Sequence, residues 1–257
     1  MTAPVLLVIA HGSRDPRHAA TVTALTARVR SLRPGLRVET AFLDFNAPSV
    51  PQVLSRLAAD GAREVVALPL LLTRAFHAKA DIPAVLREAA ARHPWLSVRR
   101  AEVLGPSPLL TAALERRLAE AGLDPSDPAE RGSTGVVLAS AGSTDPEAIA
   151  VIAEIAREWR HTGWCAVRPA FASAVSAAGY PRTEDAVRAL RAEGVRRVAV
   201  APYVIAPGRL PDRIAEGARA AGADVTADVL GPCPELARLL LRRYDGAAAR
   251  PRAALTA

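Results

Sequence analysis

The chain has 257 residues, half of them apolar, enough to bury one large core or two of ordinary size and too apolar for a disordered segment. Its net charge of +7 divides as +3 over residues 1–130 and +4 over the rest; with no basic patch or tail interleaved with aromatics, a nucleic-acid partner is not expected, although an evenly basic surface suits a small polyanion. No apolar run approaches the ~20 residues of a bilayer span and no basic region precedes an apolar leader core, so the expectation is a soluble, cytoplasmic protein with no membrane partner. Cys165 and Cys233 stand far apart and read as reduced, partly buried thiols rather than a disulfide or zinc framework.

The first element is Val5-Leu6-Leu7-Val8-Ile9-Ala10, an aliphatic run that reads as a strand buried on both faces. Asp15 followed by Pro16 marks an N-cap and first helical residue, so a helix over Pro16–Leu32 starts almost at once. Between strand and helix lie only His11, Gly12, Ser13 and Arg14. That is a dense set of polar groups for a turn that topology alone would fill with anything small. Strand Arg37–Phe45 follows, with Asp44 near its end, then helix Val50–Asp60 capped by Ser49 and the apolar strand Glu64–Leu72. Helix Pro83–Arg92, opened by Asp81, strand Ser97–Leu104 and helix Pro108–Ala121, capped by Ser107, complete a βαβαβαβα alternation. Such an alternation predicts right-handed crossovers and a parallel sheet with helices on both faces.

The chain then repeats itself. Val136–Ser140 followed by Ala141-Gly142-Ser143-Thr144-Asp145-Pro146 echoes the opening stretch, with Asp-Pro in register 130 residues later. Ala170-Phe171 echoes Ala41-Phe42, Pro202 echoes Pro69, and Val229-Leu230-Gly231-Pro232 echoes Val103-Leu104-Gly105-Pro106. The second copy has strands near 135–140, 165–172, 196–205 and 224–230, and helices near 146–161, 182–193, 211–221 and 234–244. The expected fold class is therefore α/β, with two tandem domains, each a four-stranded doubly wound parallel sheet. Their expected limits are 1–122 and 135–245, with a linker over 123–134 and a loose tail over 246–257.

In a doubly wound sheet of strand order 2-1-3-4, ligands bind at the carboxyl ends of strands 1 and 3. Those ends carry His11 and the loop Thr73–Asp81, which contains Arg74, His77 and Lys79, while neighbouring strand 2 ends at Asp44. Two imidazoles and a carboxylate with open positions suit a divalent transition metal. In the second copy His11 becomes Ala141, Asp44 becomes Ser173, and the shorter loop Ala206-Pro207-Gly208-Arg209 has no histidine. Fold signals survive the duplication and the polar groups do not, which points to one working site and one degenerate partner domain. The remaining histidines and aromatics have plainer readings: His18 as solvated surface, His93 and His161 as partners of helix C-termini, Trp95, Trp159 and Trp164 as packing residues, and Cys165 as a buried thiol.

His11-Gly12-Ser13-Arg14-Asp15-Pro16, Ala41-Phe42-Leu43-Asp44-Phe45, and Pro69–Leu72 leading to His77 and Asp81-Ile82-Pro83 resemble the sirohydrochlorin chelatase family, the class II chelatases that include cobalt-inserting CbiX and iron-inserting SirB enzymes. The resemblance implies an enzyme without an organic cofactor that inserts Fe²⁺ or Co²⁺, or Ni²⁺ in some relatives, into a tetrapyrrole polycarboxylate for sirohaem or cobalamin synthesis. It places His11 and His77 as the two histidines that bind metal and take up pyrrole protons. Asp44 stands where several relatives have Glu, one methylene longer. It also implies a monomer whose two domains form a pseudo-dimer around the tetrapyrrole. The residue types agree with that chemistry: an imidazole, of ordinary pKa ~6.5, accepts a proton or ligates a metal. Gly12 and Ser13 lie at the start of a helix, which favours anions, and Arg14, Arg74 and Lys79 are placed to meet carboxylates. Two other readings predict different behaviour. A non-catalytic tetrapyrrole-binding or metal-delivery protein keeps the ligands and releases no metallated product, and a generic two-lobed binder or transferase does not depend on His11 or His77. The absence of a P-loop, a G-x-G-x-x-G turn and a nucleophile elbow argues against other enzyme classes.

Overall fold

In the computed structural model, which describes residues 3–74, 81–173 and 180–250, strand β1 (Val5–Ala10) has all six residues buried. The chain continues through α1 (Pro16–Leu32), β2 (Val38–Phe42), α2 (Val50–Ala59), β3 (Glu64–Pro69), α3 (Ile82–Arg92), β4 (Ser97–Arg100) and α4 (Pro108–Glu120). A short helix α5 (Pro128–Ser133) follows, and then β5 (Thr134–Ser140), α6 (Pro146–Arg160), β6 (Ala166–Phe171), α7 (Thr183–Ala192), β7 (Arg197–Tyr203), α8 (Arg209–Ala220), β8 (Val225–Thr226) and α9 (Pro234–Ala248). The strands form two four-stranded parallel sheets of order β2-β1-β3-β4 and β6-β5-β7-β8. The α/β reading and its strand order hold in both copies.

Helix starts follow the local chemistry. Asp15 accepts the Arg17 N–H at 2.9 Å with Pro16 as first helical residue, and Ser49 with Gln52 forms a reciprocal capping box at α2. On one face of the first sheet, Val5, Leu7 and Ile9 pack with Val53, Leu54 and Leu57 of α2 and Ile82 and Leu86 of α3. Each fully buried aliphatic side chain of this kind contributes about 1.5–3 kcal/mol. In the second sheet Val137, Ala139, Val198 and Val200 pack with Val187 and Leu190 of α7 and Ile214 of α8.

The two sequence copies are not the two compact units. One unit is Met1–Gly105 with Pro232–Ala257 and the other is Pro106–Gly231. In the first unit α9 lies against α1 and β3; the Tyr244 hydroxyl donates to Pro4 O at 2.7 Å, and Arg33 makes paired bonds of 2.5 and 2.9 Å with Asp245. In the second unit α4 packs on β7, and Arg117 donates to Leu230 O at 2.8 Å. Each copy's final helix therefore completes the other unit's core. The expected linker over 123–134 is structured, since Leu123 is buried, α5 occupies its end and Thr134 opens β5. The tail also starts later than residue 246, because α9 runs to Ala248 and buries Ala247. Strands β4 and β8 are shorter than their apolar runs. Beyond them the chain stays extended but makes only scattered bonds, such as Ala101 N–H to Ala67 O and Leu104 N–H to Leu71 O, mirrored by Ala227 to Val200 and Leu230 to Val204.

Candidate active site

The carboxyl end of β1 lies between β2 and β3, and there the chain is stitched to its neighbours. The Leu43 N–H donates to Ala10 O, the Asp44 N–H to His11 O at 2.9 Å, and the Leu70 N–H to Ile9 O at 2.8 Å. The Ser13 N–H donates to Asn46 Oδ1 at 2.8 Å. Between these bonds Gly12 adopts φ +95°, and a Cβ on it would sit 1.9 Å from the Asp44 carbonyl oxygen, so no residue but glycine allows the two turns to touch. The Ser13 hydroxyl accepts the Asp15 N–H at 3.1 Å, which locks the entry to α1.

This frame carries three side chains together. His11 Nδ1 lies 3.2 Å from Gly12 O, and its ring is near-parallel to that of Phe45, with centroids 6.2 Å apart and planes at 21°. The Arg14 guanidinium carbon lies 5.4 Å from the Phe45 ring centre. Phe45 is 52% exposed and adopts φ +59°, a left-handed conformation unusual for a bulky residue. Asp44 is exposed beside them, and its Oδ1 accepts the Phe45 N–H at 2.8 Å, which holds that turn while leaving carboxylate lone pairs over.

The other expected residues are distributed differently. His77 and Lys79 lie outside the described residues. Arg74 is ion-paired with Glu102 in a small recess floored by Pro69 and Ala101. Burial pushes the Glu102 carboxyl up, but Arg74 and Arg250 outweigh it and the net shift is downward. Among the described residues no three His, Cys, Asp or Glu side chains gather as a metal-ligand group. His18 is not solvated surface: it is half-buried and its Nδ1 is enclosed without a hydrogen-bond partner. Burial pushes its pKa down, nearby His11 adds to that, and Asp15 opposes it. Cys165 is exposed rather than buried, and Trp95 is 54% exposed, edge-on to His93. A cavity of about 530 Å³ lies elsewhere, lined by α4, α6 and Tyr203. Its Glu115 carboxylate is occupied by Trp159 and Arg131, and none of the candidate residues lines it.

The second sheet separates scaffold from site. Gly142 repeats the left-handed turn at φ +96°, the Ser173 N–H donates to Ala141 O at 3.0 Å, and the Ser143 hydroxyl accepts the Asp145 N–H at 3.0 Å. Gly12 and Ser13 thus do a job that both copies need, whereas the imidazole of His11 and the carboxylate of Asp44 are present once. Asn46 escaped the sequence reading, and Phe45 entered it only as the last residue of a motif, with no role of its own. The signal available was an aromatic and an amide directly after Asp44 at the ligand-binding edge of a sheet.

The CbiX family model matches residues 5–121 and again 135–247. A sirohydrochlorin cobaltochelatase of Priestia megaterium is 30% identical over 212 residues, covering 82% of this chain and 67% of that protein. A sirohydrochlorin ferrochelatase of the same organism is 26% identical over 239 residues, covering 91% and 87%. Among solved structures, SirB from Bacillus subtilis with Fe³⁺ superposes with a TM-score of 0.82 at 23% identity over 96% of both chains, a likeness of fold. With both copies matched over nearly their whole length, the chain belongs to the CbiX family as a two-repeat member.

Proposed function

We propose that this protein is a sirohydrochlorin chelatase that inserts Fe²⁺ or Co²⁺ into a tetrapyrrole polycarboxylate, feeding sirohaem or corrinoid synthesis, with its working site in the leading repeat. The observation that carries the reading is the asymmetry between two equivalently hydrogen-bonded turns: His11 and Asp44 in one, Ala141 and Ser173 in the other. Curated relatives of the chain carry both the cobalt- and the iron-chelatase names, which supports the substrate class and leaves both metals in the proposal.

Metallation requires two inner N–H protons to leave the macrocycle while the metal sheds water. In this reading His11 and His77 bind the incoming metal and accept the two departing protons in turn, each in one role at a time, and hand the protons on to solvent. Asp44 lends carboxylate charge that steadies the divalent ion. Arg14 meets a peripheral carboxylate, with Lys79 as a second cation. Arg74 contributes only by exchanging its Glu102 partner for a substrate carboxylate. The metal and the tetrapyrrole are substrates, and no organic cofactor is invoked.

The test is anaerobic mixing of protein, sirohydrochlorin and either Fe²⁺ or Co²⁺, followed by visible absorbance. The expected result is metallation well above the protein-free rate, with His11→Ala and His77→Ala each lowering turnover about 10²–10⁴-fold. Metallation no faster than the blank with both metals would overturn the proposal. Binding of the tetrapyrrole without metallation would instead identify a carrier.

A further inference from the structure

We propose that Phe45 is a substrate-positioning residue: its exposed face is the platform on which the planar tetrapyrrole stacks beside His11 and Arg14. The inference rests on the reading of the site as a tetrapyrrole pocket and adds a recognition element beyond the proton acceptors, metal ligands and cations already named.

Phe45 is 52% exposed, so its ring contributes little of the burial that justifies an aromatic in a core. It stands at φ +59°, where a side chain branching from Cβ into a bulky ring is disfavoured and glycine is free of penalty. A residue kept for folding alone would be glycine or asparagine there. The strain is instead held in place by the surrounding bonds: Asp44 Oδ1 accepts the Phe45 N–H, the Asn46 N–H donates to Asp44 O at 2.7 Å, and Asn46 Oδ1 anchors the next residue to Ser13. Over-determined strain of this kind collects where a ligand is handled.

What the ring does do is set a plane. The His11 imidazole is within 21° of parallel to it, and the Arg14 guanidinium lies 5.4 Å from its centre. A flat, conjugated polycarboxylate laid on that face gains offset stacking. Its rim carboxylates come within reach of Arg14. The platform fixes where the macrocycle lies beside His11. It is not itself a group that moves protons.

The test is fluorescence titration of metal-free sirohydrochlorin into the 257-residue chain under anaerobic conditions, alongside thermal unfolding and metallation kinetics. Phe45→Gly is expected to unfold at the same temperature as the parent or higher, to bind the tetrapyrrole about tenfold more weakly, and to raise KM more than it lowers kcat. Phe45→Tyr, which keeps the ring, should restore affinity, and Trp95→Ala, which removes a different exposed aromatic, should leave it unchanged. Affinity in Phe45→Gly within twofold of the parent would overturn the proposal, as would a loss that Phe45→Tyr fails to restore. Should Phe45→Gly prove unstable, the same comparison is read from Phe45→Asn, since asparagine tolerates the left-handed turn. A parent that binds the tetrapyrrole but does not metallate it would sink the chelatase reading while the affinity ratio still decides the role of Phe45. A parent that does not bind would sink both.

Discussion

Gly12 shows how little the identity of a residue says until its neighbours are known. In the sequence it reads as part of a helix start that favours anions. In the structure its missing side chain is filled by the carbonyl of Asp44, at 1.9 Å from where a Cβ would stand. Gly12→Ala should therefore destabilise the protein by about 3 kcal/mol, combining left-handed strain with a backbone clash. Gly61 also has a positive φ but nothing within 4 Å, so Gly61→Ala should cost only about 1 kcal/mol; equal losses in a denaturant titration of the two variants would refute the clash. Ser13 was legible as a polar turn residue, and its partner Ser143 assigns the hydroxyl to folding. Ser13→Ala and Ser143→Ala should each lose about 1 kcal/mol, measured by the same titration. His18 gives a pH prediction. Its folded pKa is below the ordinary imidazole value, chiefly through burial, so the unfolded chain takes up a proton first as pH falls. Stability from this group is complete above the unfolded pKa of ~6.5 and is lost as pH drops below it toward the lower folded value. In His18→Gln that part of the acid slope should vanish, which melting temperatures between pH 7.5 and 5 would register.

At the scale of elements, the helices were readable because their signals are contiguous. Asp15-Pro16, Ser49 with Gln52, and Ser107-Pro108 each satisfy N–H groups of the very next turn, and no distant residue is consulted. Strand ends were less readable, because an apolar run says that a segment is buried and not where its ladder partner stops; hence the overlong β4 and β8. Helix α9 is the element whose partner sequence could not name. Leu236 and Leu240 are fully buried, and contacts to α1 and β3 place them in the first unit's core. Leu240→Ala should cost about 2–4 kcal/mol and, in hydrogen exchange, should loosen α1 and β1 more than β5 and α7. Loosening confined to the second sheet would contradict the observed packing.

For the whole molecule, duplication and exchange have one consequence together. A fragment of residues 1–122 contains the first copy in full and yet lacks the helix that covers α1, carrying in its place an α4 whose own sheet is missing. Such a fragment should either fail to fold or associate in pairs, each copy lending its α4 to the other; a folded monomer in size-exclusion chromatography would show that the exchange is dispensable. Among the described residues no helix is long and apolar enough to cross a membrane, and the single set of site residues on a twice-built frame is the feature on which the functional proposal turns.

The sequence by itself determined the α/β class, the duplication, and the turn that carries an imidazole in one copy only. Those features are written in short-range periodicity, caps and echoes, where each residue answers to its near neighbours. The tertiary structure decided which helix covers which sheet, why Gly12 and Ser13 are needed, and that Phe45 is held left-handed beside His11. Two leucine-rich helices with Pro starts present the same apolar stripe to any sheet, and only the geometry of long-range packing selects between them. A strained ring is likewise invisible locally: Asp44 and Asn46 bond within its own turn, but that turn is pinned to the end of β1 by the Ser13 N–H to Asn46 Oδ1 and the Asp44 N–H to His11 O, each spanning thirty-three positions.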